Sequence, residues 1–178
     1  PLEAGSLDWG NLDYRPYMRV RAELARHWMK TGHYPESIAE HEAMLHLNPD
    51  DNQGMRYSLL ACYLAVGDLE GARRLFKSYR EERRLSTNFA FGHVLERLLS
   101  GDEAEAKSAL KRAMKQNPHA LEFFSGRRRI PPTVPVRYAI GSPQEALVAA
   151  DCLRPALKRH PEARKWLRER EMEFAGKR

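Results

Sequence analysis

Three glycines divide the middle of the chain at nearly constant intervals: Gly32, Gly67 and Gly101, spaced 35 and 34 residues apart. A period of this length constrains the fold to a serial array, in which each unit buries its apolar face only against its neighbours. Each glycine lies between two apolar stretches of helical character. Leu and Ala each occur 21 times, whereas Val, Ile and Thr together occur 12 times, a bias toward helix and away from strand. Glycine tolerates the left-handed backbone that ends a helix, so each unit is expected to be an antiparallel helical hairpin.

The units match beyond the glycines. Leu24 and Trp28, then Leu59 and Tyr63, lie four residues apart and so are expected to share a face of the first helix, with Val94, Leu95, Leu98 and Leu99 as the third counterpart. In the second helices Ser37, Ala72 and Ala106 occupy one position, where a small side chain lets two backbones approach. His41, Phe76 and Leu110 follow one turn on. Asn48-Pro49 and Asn117-Pro118 should end the second helices of units one and three, because the residue before proline is biased out of the helical region. The middle unit lacks this proline and is expected to run on through Arg80-Glu81-Glu82-Arg83-Arg84.

These residues resemble tetratricopeptide repeats over 18–51, 53–86 and 87–120. Met44 and Tyr79 stand where that family has a small residue, and Asn52 reads as a one-residue insertion. The resemblance implies an all-α superhelical array of three helix-turn-helix hairpins acting as a non-catalytic scaffold for protein–protein interaction. It also implies a concave groove lined by first-helix positions. In unit one these are Arg19, Ala22, Arg26, Met29 and Lys30; in unit two, Tyr57, Ala61 and Leu64; in unit three, Asn88, Phe91, Leu95 and Leu98. Such a groove is basic at one end and apolar at the other, and the expected partner is a peptide or helical segment with an acidic portion. Ala22 and Arg26 replace the Lys and Asn of the chaperone-tail-binding subclass, which disfavours that subclass.

Residues 1–17, with Trp9, Tyr14, Pro16 and Tyr17, read as a partly extended lead-in whose aromatics cover the open end of the array. Residues 121–178 read as a basic C-terminal extension. A short helix beginning at Leu121 should end at Gly126, and the proline-rich stretch that follows cannot be regular helix. Ser142-Pro143, with Glu145 three residues after the serine, has capping-box spacing and predicts a helix over 143–159, which Pro155 could kink. A last helix over 161–174 carries Trp166 and Leu167, and the final Gly-Lys-Arg should fray. The extension also resembles the end of the suppressor-of-tumorigenicity-7 family, with no chemical motif involved.

The net charge of +6 is uneven: residues 126–178 hold 13 basic and 6 acidic groups. Arg127-Arg128-Arg129 is the sharpest run, a docking point for an acidic peptide or phosphate or else a locally paired surface. His41 and His46, five apart, diverge by about 140° around a helix and cannot grip one metal. The glycine-rich phosphate loops and nucleophile elbows of common enzymes are missing, so neither catalysis nor a cofactor is expected. Cys62 and Cys152 read as small buried hydrophobes in a reducing, cytoplasmic setting. No apolar run is long enough to span a membrane, and the start at Pro1 reads as a cloned or processed fragment. Two other functions remain open: nucleic-acid or phosphate binding through the basic extension, and a self-assembling or structural module whose own C-terminal helices fill the groove.

Overall fold

Helix-forming stretches separated by glycine give a structure whose regular elements, among the described residues, are all helices. It is a computed structural model describing residue 7 and residues 9–175. After a 3₁₀ turn at Leu12–Tyr14 come α1 (Arg15–Thr31), α2 (Tyr34–Leu47), α3 (Met55–Val66), α4 (Leu69–Ser78) and α5 (Glu82–Leu85). They are followed by α6 (Thr87–Leu99), α7 (Glu103–Gln116), α8 (Ala120–Phe124), α9 (Pro143–Cys152), α10 (Arg154–Arg159) and α11 (Pro161–Ala175). The final Gly-Lys-Arg and most of the residues before Trp9 lie outside the described residues.

The chain reverses three times by one mechanism. Gly32, Gly67 and Gly101 sit at φ of 85°, 78° and 80°. The next residue's N–H then reaches back to a carbonyl five residues earlier: His33 to Trp28, Asp68 to Tyr63 and Asp102 to Arg97, each at 2.9 Å. This is the Schellman closure of a helix C-terminus. Asp68 and Asp102 go on to cap the following helices, accepting N–H bonds from Gly71 at 2.8 Å and Glu105 at 3.1 Å. The hairpins α1–α2, α3–α4 and α6–α7 result. They pack in series, α3 against α1 and α2, and α6 against α3 and α4. Ser37, Ala72 and Ala106 are fully buried, as are His41 and Leu110 to within 1%.

Four features differ from the expectations. In α1 the core face is Met18, Ala22 and Ala25, while Leu24 is 40% exposed, because α2 and α3 approach from the other side of the Leu24–Trp28 stripe. The helix of the middle unit ends at Ser78 even without a proline, and α5 is a separate turn. The lead-in is shorter, with α1 beginning at Arg15 and Tyr17 41% exposed, although Trp9 and Tyr14 do pack on the Leu7, Met18, Met44 and Met55 cluster. The expected 143–159 helix is two helices, broken at Leu153. Pro155 has no N–H for the carbonyl of Asp151, and its ring clashes there.

Candidate functional site

The proline-rich crossover of residues 126–142 carries the chain back across the array, and this decides what the inner face can do. The start of α9 is anchored as its sequence requires: Ser142 Oγ accepts the Glu145 N–H at 3.1 Å. The Glu145 carboxylate, 4% exposed, then accepts the N–H of Thr87 at 2.9 Å and of Gly141 at 2.6 Å. Asn117 donates to Thr87 Oγ1 and to the Ser142 carbonyl, both at 3.0 Å. One buried carboxylate and one buried amide thus join the start of α6, the end of α7 and the start of α9.

From this anchor α9 lies on α3 and α6, α10 on α3, and α11 on α8 and α6. The extension also reaches the end of α3, with His160 Nε2 2.9 Å from the Leu64 carbonyl. Ala146, Ala149, Ala150, Leu153, Leu157 and Leu167 merge with the first-helix side chains into one core.

This arrangement corrects the apolar half of the expected groove. Leu64 and Phe91 are fully buried, and Leu95 and Asn88 are buried. Phe91 stacks on Phe124 of α8, with centroids 4.1 Å apart and planes at 18°. Tyr57 is half-buried, its hydroxyl donating to Glu82 at 2.8 Å and accepting from Arg56 at 3.0 Å. An apolar helix face reads the same in sequence whether a ligand or the chain itself covers it. Here the chain covers it.

The basic half lies elsewhere. On α1, Arg19 and Lys30 are exposed, Arg26 pairs with Glu23 at 2.6 Å, and Met29 packs against the main core. Arg127 bonds Glu171 at 2.6 Å and Glu122 at 3.2 Å, and Arg128 bonds Glu122 at 2.8 Å with its guanidinium 4.9 Å from the Phe123 ring. Arg129 is exposed. The arginine run is therefore a largely paired corner of the α8–α11 seam. Beside it a cleft of about 690 Å³ is lined by Met114, Leu121, Met172 and Phe174 together with Arg127 and Glu171.

Sequence reasoning missed a second basic region. Arg80, Arg83 and Arg84 from the α4–α5 segment meet Arg112 of α7 around a depression of about 590 Å³. The signal was present in part, since Arg73, Lys77, Arg80 and Arg84 recur at intervals of four, three and four, one face of a helix. That Arg112 completes the set follows only from the α6–α7 packing.

Both thiols are free. Burial pushes the Cys62 thiol up to about 11 and the Cys152 thiol up to about 12, so neither is an activated nucleophile. Among the described residues no group of three His, Cys, Asp or Glu side chains is placed to hold a metal ion, and no helix is long and apolar enough to cross a membrane.

The fold is thus an all-α series of helical hairpins with its inner face occupied by its own C-terminal extension. Compared with known proteins, the chain matches no family model, no curated protein and no solved structure.

Proposed function

We propose that this chain is a non-catalytic interaction scaffold of the tetratricopeptide type, which binds a protein partner through an acidic segment. The observation that carries the reading is the serial packing of three hairpins closed by the same glycine turn. That is the construction repeat arrays use to present extended surfaces. The inner face of α3 and α6 is filled in cis, so the partner surface is the α1 side, where Arg19, Arg26 and Lys30 recur at spacings of seven and four. Charges there speed encounter and set orientation more than they add affinity. The two unpaired thiols fit a reducing cytoplasmic setting.

A pull-down from native extract, with the wild-type chain and an Arg19→Glu/Lys30→Glu variant side by side, tests this. A protein held by the wild type and lost from an equally stable variant supports the reading. Equal retention by both overturns it.

A further inference from the structure

We propose that the arginine-rimmed depression between α5, α6 and α7 binds a compact, multiply phosphorylated ligand. This site stands apart from the α1 surface and does not rest on the scaffold reading.

The shape is that of a small-molecule site. At about 590 Å³, the depression falls within the range of roughly 300–1,000 Å³ typical of ligand pockets. Ala90, Ala109 and Ala113, all buried, line it with side chains short enough to leave it open. The rim is Arg80, Arg83, Arg84 and Arg112. Glu81 is the one carboxylate lining it, and Glu81 is taken by Arg84 in an exposed pair. Arg112 is held from outside by Glu105 at 2.5 Å. Arg80 and Arg83 have no ion-pair partner among the described residues.

A second observation points to a ligand. Gln116 lines the same depression, and both atoms of its amide are buried without a hydrogen-bond partner. Buried polar groups are nearly always paired. A turn of the side chain toward the depression would offer the amide NH₂ to a phosphoryl oxygen and the amide oxygen to a ligand hydroxyl.

The number of phosphates follows from the neighbouring hollow. A depression of about 340 Å³ adjoins the first and shares Arg80, Arg83 and His93 with it, adding Arg73, Lys77 and Arg97. Across both, seven Lys and Arg side chains face two carboxylates. Of these, Glu96 is engaged by Arg73 at 2.7 Å and by Arg97 at 2.5 Å. Two cationic hollows joined at Arg80 and Arg83 suit a molecule with at least two phosphates on a short spacer. Guanidinium forks bond such oxygens in pairs. Phe76, which faces the second hollow, is 5% exposed, so no Phe, Tyr or Trp ring in the site lies open for nucleic-acid bases to stack on.

His93 lies at the junction and reports occupancy. Its ring meets Phe76 of α4 edge-on at 5.5 Å. Burial holds its imidazole below the usual value, Arg83 of α5, Arg97 of α6 and Arg112 of α7 push it further down, and Glu96 opposes them. A bound phosphate reverses that balance and raises it.

The test is titration of the full chain with inorganic tripolyphosphate, inorganic phosphate, citrate and a short DNA duplex. Calorimetry and the His93 imidazole NMR signal are the readouts. Tripolyphosphate is expected to bind about tenfold or more tightly than citrate or single phosphate and to raise the His93 titration midpoint. Arg80→Ala/Arg83→Ala and Gln116→Leu should each weaken it by about tenfold, whereas Arg127→Ala/Arg128→Ala should not. Vesicles containing a phosphorylated inositol lipid distinguish the source. Co-sedimentation that tripolyphosphate reverses assigns the phosphates to a headgroup, and tripolyphosphate binding without co-sedimentation assigns them to a free compound. Citrate binding as tightly as tripolyphosphate, tighter binding of duplex, or folded Arg80/Arg83 and Gln116 variants that bind normally would each overturn the site.

Discussion

His41 shows how one residue can make stability depend on pH. It fills the position that Phe76 and Leu110 fill in the other units, fully buried, with Nδ1 2.7 Å from the Ser37 carbonyl and Nε2 unpartnered. Burial lowers its pKa. In the unfolded chain the ring protonates at about 6.5, so below that pH the unfolded state binds more protons than the folded one. Stability is then full above about pH 6.5 and lost as the pH falls toward the depressed folded value. His41→Leu, copying Leu110, should flatten this acid limb in urea melts recorded from neutral to acid pH. The thiols act at the other extreme. Cys62 and Cys152, raised to about 11 and about 12, stay protonated where the unfolded thiols ionise, above about 8.5. Stability should therefore decline as the pH rises from there, and both should resist alkylation in the folded chain at neutral pH. Phe91, stacked on Phe124, belongs to the core, so Phe91→Ala should cost about 3–5 kcal/mol. A melting midpoint left unchanged by that substitution would contradict the packing described.

At the scale of elements, the hairpins depend on close approach and the extension depends on its anchor. Ala72 and Ala106 are fully buried, so Ala72→Leu or Ala106→Leu should overpack a helix contact and cost about 1–3 kcal/mol, read as a lowered denaturation midpoint. Glu145→Ala removes the acceptor of two backbone N–H groups, a loss of about 1–3 kcal/mol for each donor left buried and unpaired. Hydrogen exchange at Thr87 and Gly141 should quicken most. What could be read from the sequence divides along the same line. The glycine turns, the small residues and the Ser142 cap were legible, because each is a local requirement of backbone or cap. The face that α1 buries was not, since Met18 and Ala25 are chosen over Leu24 by where α2 and α3 lie. Nor was the end of α4 at Ser78, which no proline marks. The fate of Phe91 and Leu95 depended on a segment arriving from far along the chain. The Arg80–Arg112 gathering likewise exists only once α5, α6 and α7 are packed.

At the scale of the molecule, two parts of the chain share one core across an exposed tether. Val136 is 95% exposed and Ile140 71%, and Arg137 between them is open to solvent. Brief trypsin treatment should nick the tether after Arg137 while the two fragments stay together through size-exclusion chromatography, separating only in denaturant. Fragments that part in native buffer would contradict the shared core. The same placement has a consequence for birth of the protein. Translation proceeds at about 5–20 residues per second, so α6 leaves the ribosome seconds before α9, α10 and α11 exist to meet it. During that interval the array has its turns and its small-residue contacts but no cover for Phe91, Leu95 and Leu64. The nascent hairpins keep these side chains uncovered until the extension docks, so the later-made α9, α10 and α11 act as an intramolecular chaperone for the earlier helices.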